Sequence, residues 1–144
     1  VQLSSSDCNF GGKFGTLPKR APLNQREPRE LDLPCCACDL AAGAYHSAVI
    51  TEDGRLWLWG QNDCGQLGHG LDVKASSVPR PLQVAANASL TKFAKISLGG
   101  FHSAAIDSDG QLFTWGGNKR GQCGQGDGAI VEHPTKLSLA PGNL

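Results

Sequence analysis

The sequence contains two copies of one 28-residue segment, and this repetition restricts the possible fold more than any other feature. Residues 43–70 and 99–126 align without a gap, 56 positions apart, and share about 15 identities in 28 positions. Each copy opens with Gly-x-x-His-Ser and ends in a loop rich in glycine. A period of this length indicates a chain built from repeated structural units.

Each copy has the pattern of a β-hairpin. In the first, a short apolar run ends at Glu52-Asp53-Gly54, which supplies the glycine that a tight turn needs. The next run alternates leucine and tryptophan, so both of its faces are apolar and both are expected to be covered. No 11-residue window has a sustained helical period. The predicted strands are 46–51, 55–60, 93–98, 102–107 and 111–116.

Further β-prone runs flank each hairpin. An apolar run over 35–42 precedes the first copy, and segments led by proline follow the copies at 78–84 and 133–139. Proline removes a backbone donor, so it marks the start of a strand or an edge strand. Four short strands in a unit of about 50 to 60 residues are typical of a propeller blade. The sequence therefore predicts an all-β fold built from propeller blades.

The repeated residues resemble the regulator of chromosome condensation repeat. That family's pattern is Gly-x-x-His-Ser/Thr, a glycine turn, a strand ending in Trp-Gly, and Asn-x-x-Gly-Gln-Leu-Gly. A worn third copy matches weakly over 10–17, with phenylalanine for tryptophan. The first clear copy carries the pattern at Gly43, His46, Ser47, Gly54, Trp59, Gly60, Asn62, Gly65, Gln66, Leu67 and Gly68; the second repeats it 56 positions later, with Cys123 in place of leucine.

The resemblance implies a ring of usually seven blades, which takes roughly 350 residues. The 144 residues of this chain correspond to about two and a half blades. We expect the end of a degenerate preceding blade and a linker over 1–34, one blade over 35–90 and a second over 91–144. The chain is thus expected to be a fragment of a longer protein.

Charge and hydropathy exclude two classes of partner. The chain has 13 basic and 13 acidic residues and no basic stripe, so direct binding to nucleic acid phosphates is not expected. No stretch approaches 18 uninterrupted apolar residues, and no membrane partner is expected. We expect an intracellular protein whose partners are other proteins.

The cysteines raise the question of a metal or redox site, because Cys35 and Cys38 form a C-x-x-C with His46 eight residues further on. A zinc site normally needs a second ligand pair, and neither Cys64 nor Cys123 belongs to one. Since the copies do not share cysteine positions, neither a metal nor a disulfide is expected. Cys36 alternates with Cys38 along the run, which is typical of small apolar strand residues.

The repeated His-Ser pairs invite a catalytic interpretation, which strand geometry argues against. His46 and Ser47, like His102 and Ser103, are adjacent, so their side chains point to opposite faces of a strand. We expect each histidine to satisfy backbone groups at the inner turn of its blade. The loop over 65–70 lacks the Lys-Ser/Thr of a phosphate loop. Neither an enzyme nor a cofactor site is expected, and the three tryptophans are predicted to be core residues.

The resemblance implies an interaction platform, and a subset of the family consists of guanine nucleotide exchange factors for Ran. In that subset, acidic or imidazole side chains just before the histidine contribute to the contact with the GTPase. Here those positions are Ala44-Tyr45 and Gly100-Phe101, which provide neither kind of side chain. We therefore predict a non-catalytic scaffold, with an exchange factor for a small GTPase as the alternative. The candidate partner-binding residues lie in the turns or in loop positions that differ between copies. They are Tyr45, Phe101, Asp63, His69, Lys119, Arg120 and Gln125.

Overall fold

The fold consists of two four-stranded antiparallel sheets with the same strand order. The structure is a computed structural model and describes residues 30–84, 91–126 and 128–138. We call the first sheet blade one and the second blade two. Blade one contains β1 (Ala37–Ala42), β2 (His46–Thr51), β3 (Leu56–Gln61) and β4 (Ala75–Pro81); blade two contains β5 (Phe93–Leu98), β6 (His102–Asp107), β7 (Leu112–Gly116) and β8 (Val131–Lys136).

The central hairpins of the two blades have the same register. Ser47 pairs with Trp59 in blade one, and Ser103 pairs with Trp115 in blade two. Gly54 forms the first hairpin turn at a φ of 83°, a conformation that favours glycine. The prediction of an all-β, blade-like repeat is confirmed.

The predicted hairpin strands agree closely with the structure, whereas the outer strands begin earlier than predicted. The ranges of β2, β5 and β6 are those predicted; β3 is displaced by one residue at both ends, and β7 begins one residue later than predicted. The outer strands begin at Ala75 and Val131, ahead of the proline-led segments. Pro79 and Pro134 lie inside these strands, which is tolerated because β4 and β8 are the last strands of their sheets.

The main hydrophobic core lies between the blades. Leu58 and Leu67 of blade one pack with Phe93, Phe113 and Trp115 of blade two, and all five are buried. Burial of this apolar surface stabilises each blade only in the presence of its neighbour.

The two corresponding tryptophans, Trp59 and Trp115, are 3% and 0% exposed, as predicted. Trp59 packs with Leu31 and Val49 in a second cluster on the other side of blade one. Trp57 is only partly buried, so its prediction as a core residue is wrong. Its indole N–H donates to Thr51 Oγ1 at 3.1 Å, and the polar edge of the ring is satisfied there.

The corresponding faces of the two blades differ in exposure. Ile50 in blade one is 0% exposed, whereas Ile106, its counterpart in blade two, is 40% exposed. Gln66 is likewise fully buried, and its counterpart Gln122 is exposed. Blade two therefore covers one face of blade one, while the equivalent face of blade two remains exposed.

Cys36 and Cys38, which the sequence indicated as small apolar strand residues, are exposed. The alternation along β1 is present, but Cys36, Cys38 and Leu40 form the exposed side. The physical reason is that the opposite side of β1 faces blade two, where Asp39 Oδ2 accepts from Ile96 N–H at 3.2 Å, whereas the side with Cys38 and Leu40 stays exposed. Cys38 Sγ donates to the carbonyl oxygen of Ile50 at 3.4 Å.

The worn third copy over 10–17 lies outside the described residues. The predicted boundaries at 34 and 90 and the number of blades in the complete ring stay predictions. In the part of the chain that the structure describes, no helix is long and apolar enough to cross a membrane.

Candidate functional site

One end of each blade carries both the Gly-x-x-His turn and the glycine-rich loop. In an antiparallel meander, the turn between β1 and β2 and the loop between β3 and β4 fall at the same end of the sheet. We call this end of the two blades the turn face. It contains Tyr45 and Phe101, which each precede a motif histidine.

The rings of Tyr45 and Phe101 stack on each other across the blade junction. Their centroids are 5.5 Å apart and their planes differ by 28°. Each side chain remains 44% exposed. The backbone beneath them is fixed, because Gln61 N–H donates to the Tyr45 carbonyl at 2.8 Å and Gly117 N–H donates to the Phe101 carbonyl at 2.7 Å. The sequence predicted both residues as contacts, and the structure brings them together as one exposed aromatic pair.

The first glycine of the motif allows the histidine to fold back over the turn. A Cβ at Gly43 would lie 2.7 Å from His46 Cε1 and 2.5 Å from the carbonyl oxygen of Gly99 in blade two. Neither approach is possible for a residue with a side chain. Glycine at this position therefore sets both the orientation of His46 and the close approach of the two turns.

The histidine of one blade contacts the serine of the next. His46 Nε2 lies 2.9 Å from Ser103 Oγ, and Ser103 Oγ donates to the Gln66 carbonyl at 2.7 Å. Trp115 Nε1 donates to the same carbonyl at 2.9 Å. Because the serine hydrogen is directed to Gln66, the hydroxyl accepts from His46, which therefore carries its proton on Nε2.

This arrangement corrects the expectation that the histidine satisfies backbone groups of its own turn. The 2.9 Å partner of His46 is a side chain in the other blade. Sequence reasoning also missed Gln66, whose carbonyl collects two donors from blade two. The available signal was that serine and glutamine are identical in the two copies; what was missing was the pairing of one copy with the next.

Burial keeps the His46 ring neutral. The pKa of His46 falls from 6.5 to about 4, chiefly through burial and then through the nearby His102, while hydrogen bonding to the backbone of His102 acts in the opposite direction. A neutral ring that donates from Nε2 fits a structural role. This junction holds the turn face together: His46 and Ser103 lie within hydrogen-bond distance, but both are fully buried and the serine hydroxyl is directed to the Gln66 carbonyl.

An asparagine organises the glycine-rich loop of each blade. Asn62 Oδ1 accepts from Leu67 N–H at 2.8 Å, and Asn62 Nδ2 donates to the Gly70 carbonyl at 2.8 Å. In blade two, Asn118 Oδ1 accepts from Cys123 N–H at 3.0 Å. The repeated asparagine and glycines therefore fix the loop backbone, and the remaining loop positions are free to differ.

The variable loop residues do not form one cluster. Asp63, Lys119 and Arg120 are exposed, and Asp63 accepts a hydrogen bond from the Gln61 amide. His69 is partly buried, and it lines a cavity with residues of β4 and β8. The structure thus separates the predicted contacts into the aromatic pair, exposed loop tips and positions beside the outer strands.

Gln125 is a variable position whose side chain forms its hydrogen bonds within blade two. Its amide donates to Thr114 Oγ1 at 3.0 Å and to the Thr135 carbonyl at 3.2 Å. Over the ranges 30–84, 91–126 and 128–138, no group of three or more His, Cys, Asp or Glu side chains could hold a metal ion.

Family models agree with this architecture. Two models described as the regulator of chromosome condensation (RCC1) repeat match the chain, one at residues 53–106 and 109–143 and the other at residues 37–66 and 93–122.

Curated relatives carry the similarity into larger proteins. The chain is 35% identical to human E3 ubiquitin-protein ligase HERC2 over 98 residues, which are 68% of this chain and 2% of that protein. It is 42% identical to the zebrafish (Danio rerio) protein RCC2 homolog over 84 residues, which are 58% of this chain and 16% of that protein. The chain therefore spans a small part of the relatives it matches.

Solved structures share the fold. Yeast RCC1 (Prp20), in its complex with Kap60, superposes with a TM-score of 0.78 at 24% identity, covering 92% of this chain and 32% of that one. Human WBSCR16 gives a TM-score of 0.72 at 25% identity, covering 84% of this chain and 31% of that one. The repeated hairpins, the shared junction and the matched residues together show that this chain belongs to the regulator of chromosome condensation (RCC1) repeat family.

Proposed function

We propose that this chain is part of a non-catalytic scaffold that binds other proteins through its turn face. The observation that carries the proposal is the exposed stack of Tyr45 on Phe101. Aromatic rings held on a fixed backbone give large contact area at a small cost in conformational entropy, and such residues are enriched at protein interfaces.

The composition of the turn face supports a protein partner. Asp63, Lys119 and Arg120 are exposed in the loops at the same end of the blades as the aromatic pair, so the turn face carries charged groups as well as the two rings. An apolar centre with a polar rim is the usual organisation of a protein interface. The loop tips differ between otherwise matched copies, so partner choice can change without disturbing the blade.

An affinity comparison tests this proposal. The intact protein and a Tyr45→Ser/Phe101→Ser double variant are used to capture partners, and the dissociation constants of the recovered partners are then measured with purified components. We expect the double variant to lose at least about tenfold in affinity, because truncated interface aromatics commonly cost more than 1 kcal/mol.

Leu40→Ser is the matched control, since Leu40 is 53% exposed and lies on β1 rather than in a turn. Its affinity should remain that of the unsubstituted protein. Equal losses in the control and the double variant, or no loss in either, would contradict the turn-face proposal.

The alternative function is guanine nucleotide exchange on a small GTPase. Yeast Prp20p has been described for its binding to Gsp1p and histones, and its identity to this chain is 24%, which supports a shared fold. The positions before His46 and His102 offer Tyr45 and Phe101 in place of a carboxylate or imidazole. Release of labelled nucleotide from a panel of small GTPases distinguishes the two functions, because a scaffold does not accelerate release.

A further inference from the structure

A cavity opens between the outer strands of the two blades, away from the aromatic pair. Its volume is about 510 Å³, and its basic lining residues are His69 and Arg80 from blade one and His133 from blade two. No carboxylate is among the described residues that line it. The site therefore concentrates groups that carry or can accept positive charge, and both blades contribute to it.

Blade two provides an internal reference for this cavity. The counterpart of His69 is Gln125, and Leu58 and Arg80, which pair in blade one, correspond to Thr114 and Thr135, which pair in blade two. Gln125 donates to both threonines, to the hydroxyl of one and the carbonyl of the other.

The same scaffold in blade one lacks this hydrogen bonding. Leu58 offers no hydroxyl, and His69 Nε2 is buried without a hydrogen-bond partner among the described residues. The repeat architecture does not require His69 or Arg80, because blade two forms the same pairing with neutral residues.

No carboxylate among the described lining residues offsets the positive charge of Arg80 near the two histidines. Burial, and then the charges of Arg80 and His133, lower the pKa of His69 from 6.5 to about 4. Asp72 and Glu132 are close in sequence, but neither lines the cavity. In the described part of the chain, the one side-chain ion pair joins Arg55 to Asp53, so Arg80 has no carboxylate partner there. A bound anion would act on the pKa of His69 in the direction opposite to Arg80, and it would give the buried Nε2 a hydrogen-bond partner.

His133 is exposed and contacts the loop of blade one through one ring nitrogen, which leaves the other nitrogen for a ligand. Its Nδ1 lies 3.4 Å from the Gly68 carbonyl oxygen, a contact that links β8 to the loop of blade one. Nε2 is on the other side of the ring and is the nitrogen that remains for a second partner.

We propose that this cavity between the outer strands binds a phosphate group. The Arg80 guanidinium matches two phosphate oxygens in a bidentate contact, and the imidazoles of His69 and His133 interact with the remaining charge. Phosphate fits better than a carboxylate, because a carboxylate is satisfied by one arginine, whereas a phosphate dianion has three oxygens and the charge to engage all three groups. The site is separate from the aromatic pair and does not depend on the proposed function.

Titration of the intact protein with inorganic phosphate tests the proposal, with binding followed by calorimetry. We expect Arg80→Gln to weaken binding at least about tenfold, because it removes the charge-assisted hydrogen bonds from the guanidinium to the anion. His69→Gln, which installs the residue found in blade two, is expected to weaken binding by a smaller factor. Arg120→Gln removes the same charge from an exposed loop tip and should leave the affinity unchanged.

Two further arms complete the experiment. A phosphoserine peptide and its unphosphorylated twin show whether the phosphate comes from a protein; tighter binding of the phosphopeptide identifies a modified protein as the source, and binding of inorganic phosphate alone identifies the free ion. Thermal unfolding of each variant confirms that it is folded. Failure of the unsubstituted protein to bind either probe, or equal losses in the Arg80→Gln and Arg120→Gln variants, would overturn the proposal.

Discussion

His46 of blade one and Ser103 of blade two are joined by a 2.9 Å hydrogen bond that is fully buried between the blades. Histidine and serine are neighbours within each copy of the motif, but this hydrogen bond joins the histidine of one copy to the serine of the next. Ser103 accepts from the imidazole and donates onward to the Gln66 carbonyl.

Ser103→Ala should destabilise the fold, and Ser47→Ala should not. Loss of the Ser103 hydroxyl leaves both the His46 N–H and the Gln66 carbonyl short of a partner, which costs about 1–3 kcal/mol in the free energy of unfolding. Ser47 occupies the same position in blade one, but its hydroxyl has no partner among the described residues. Urea unfolding of both variants measures the difference; equal effects would contradict the importance of the junction.

Gly43→Ala should be far more damaging than Gly100→Ala. A Cβ at Gly43 meets the Gly99 carbonyl at 2.5 Å and the buried His46 ring, and overpacking of this kind costs about 1–3 kcal/mol or more. A Cβ at Gly100 meets nothing within 4 Å. The melting temperatures of the two variants provide the comparison, and a Gly43→Ala protein as stable as Gly100→Ala would show that the turns do not need their close approach.

Stability should fall as the pH is lowered from 6.5 toward 4. The pKa of His46 in the folded state, about 4, is below its ordinary value of 6.5, so the unfolded chain binds a proton that the folded chain does not. The stabilisation from the neutral ring is complete above pH 6.5 and is lost through this window, on the order of 3 kcal/mol for a shift of this size. His69 contributes in the same window and in the same direction.

Denaturant unfolding at a series of pH values measures this slope. A His46→Gln variant should have a shallower pH dependence between 6.5 and 4, whatever its absolute stability. An unchanged slope would show that His46 does not carry the effect.

Cys123 should react with a thiol reagent much more slowly than Cys38. Cys123 is 1% exposed, and burial raises the pKa of its thiol, so both access and the thiolate fraction are reduced. Cys38 is on the exposed side of β1. Timed alkylation followed by peptide mass spectrometry gives the two rates, and comparable rates would contradict the packing of Cys123 against the loop of blade two.

The sequence predicted the hairpins well because their signals are local. The short apolar runs of β2 and β6 and the turn glycines that follow them specify those strands without reference to the rest of the chain. The starts of β4 and β8 were harder to predict from the sequence. Ala75 and Val131 pair with the ends of β3 and β7 across long loops, so their pairing is not a local signal.

The sequence did not predict the contacts between the two copies, and this was its main omission. Aligning the repeats places His46 over His102 and Ser47 over Ser103, whereas the structure joins His46 to Ser103. The stack of Tyr45 on Phe101 arises in the same way, from the placement of one blade beside the next. An alignment of equivalent positions gives no information on how one blade packs beside the next. The exposure of Cys36 and Cys38 was also missed, since an alternating strand does not reveal which of its sides is buried.

The junction between the blades joins two unlike surfaces. One side supplies the hydroxyl of Ser103 and the indole of Trp115, and the other supplies the ring of His46 and the Gln66 carbonyl. Blade two presents the equivalent of this second side, with Ile106 exposed where Ile50 is covered. Such a contact has polarity: a twofold axis would set each group against its own copy, so this surface favours a neighbour in the same orientation as blade two over symmetric pairing.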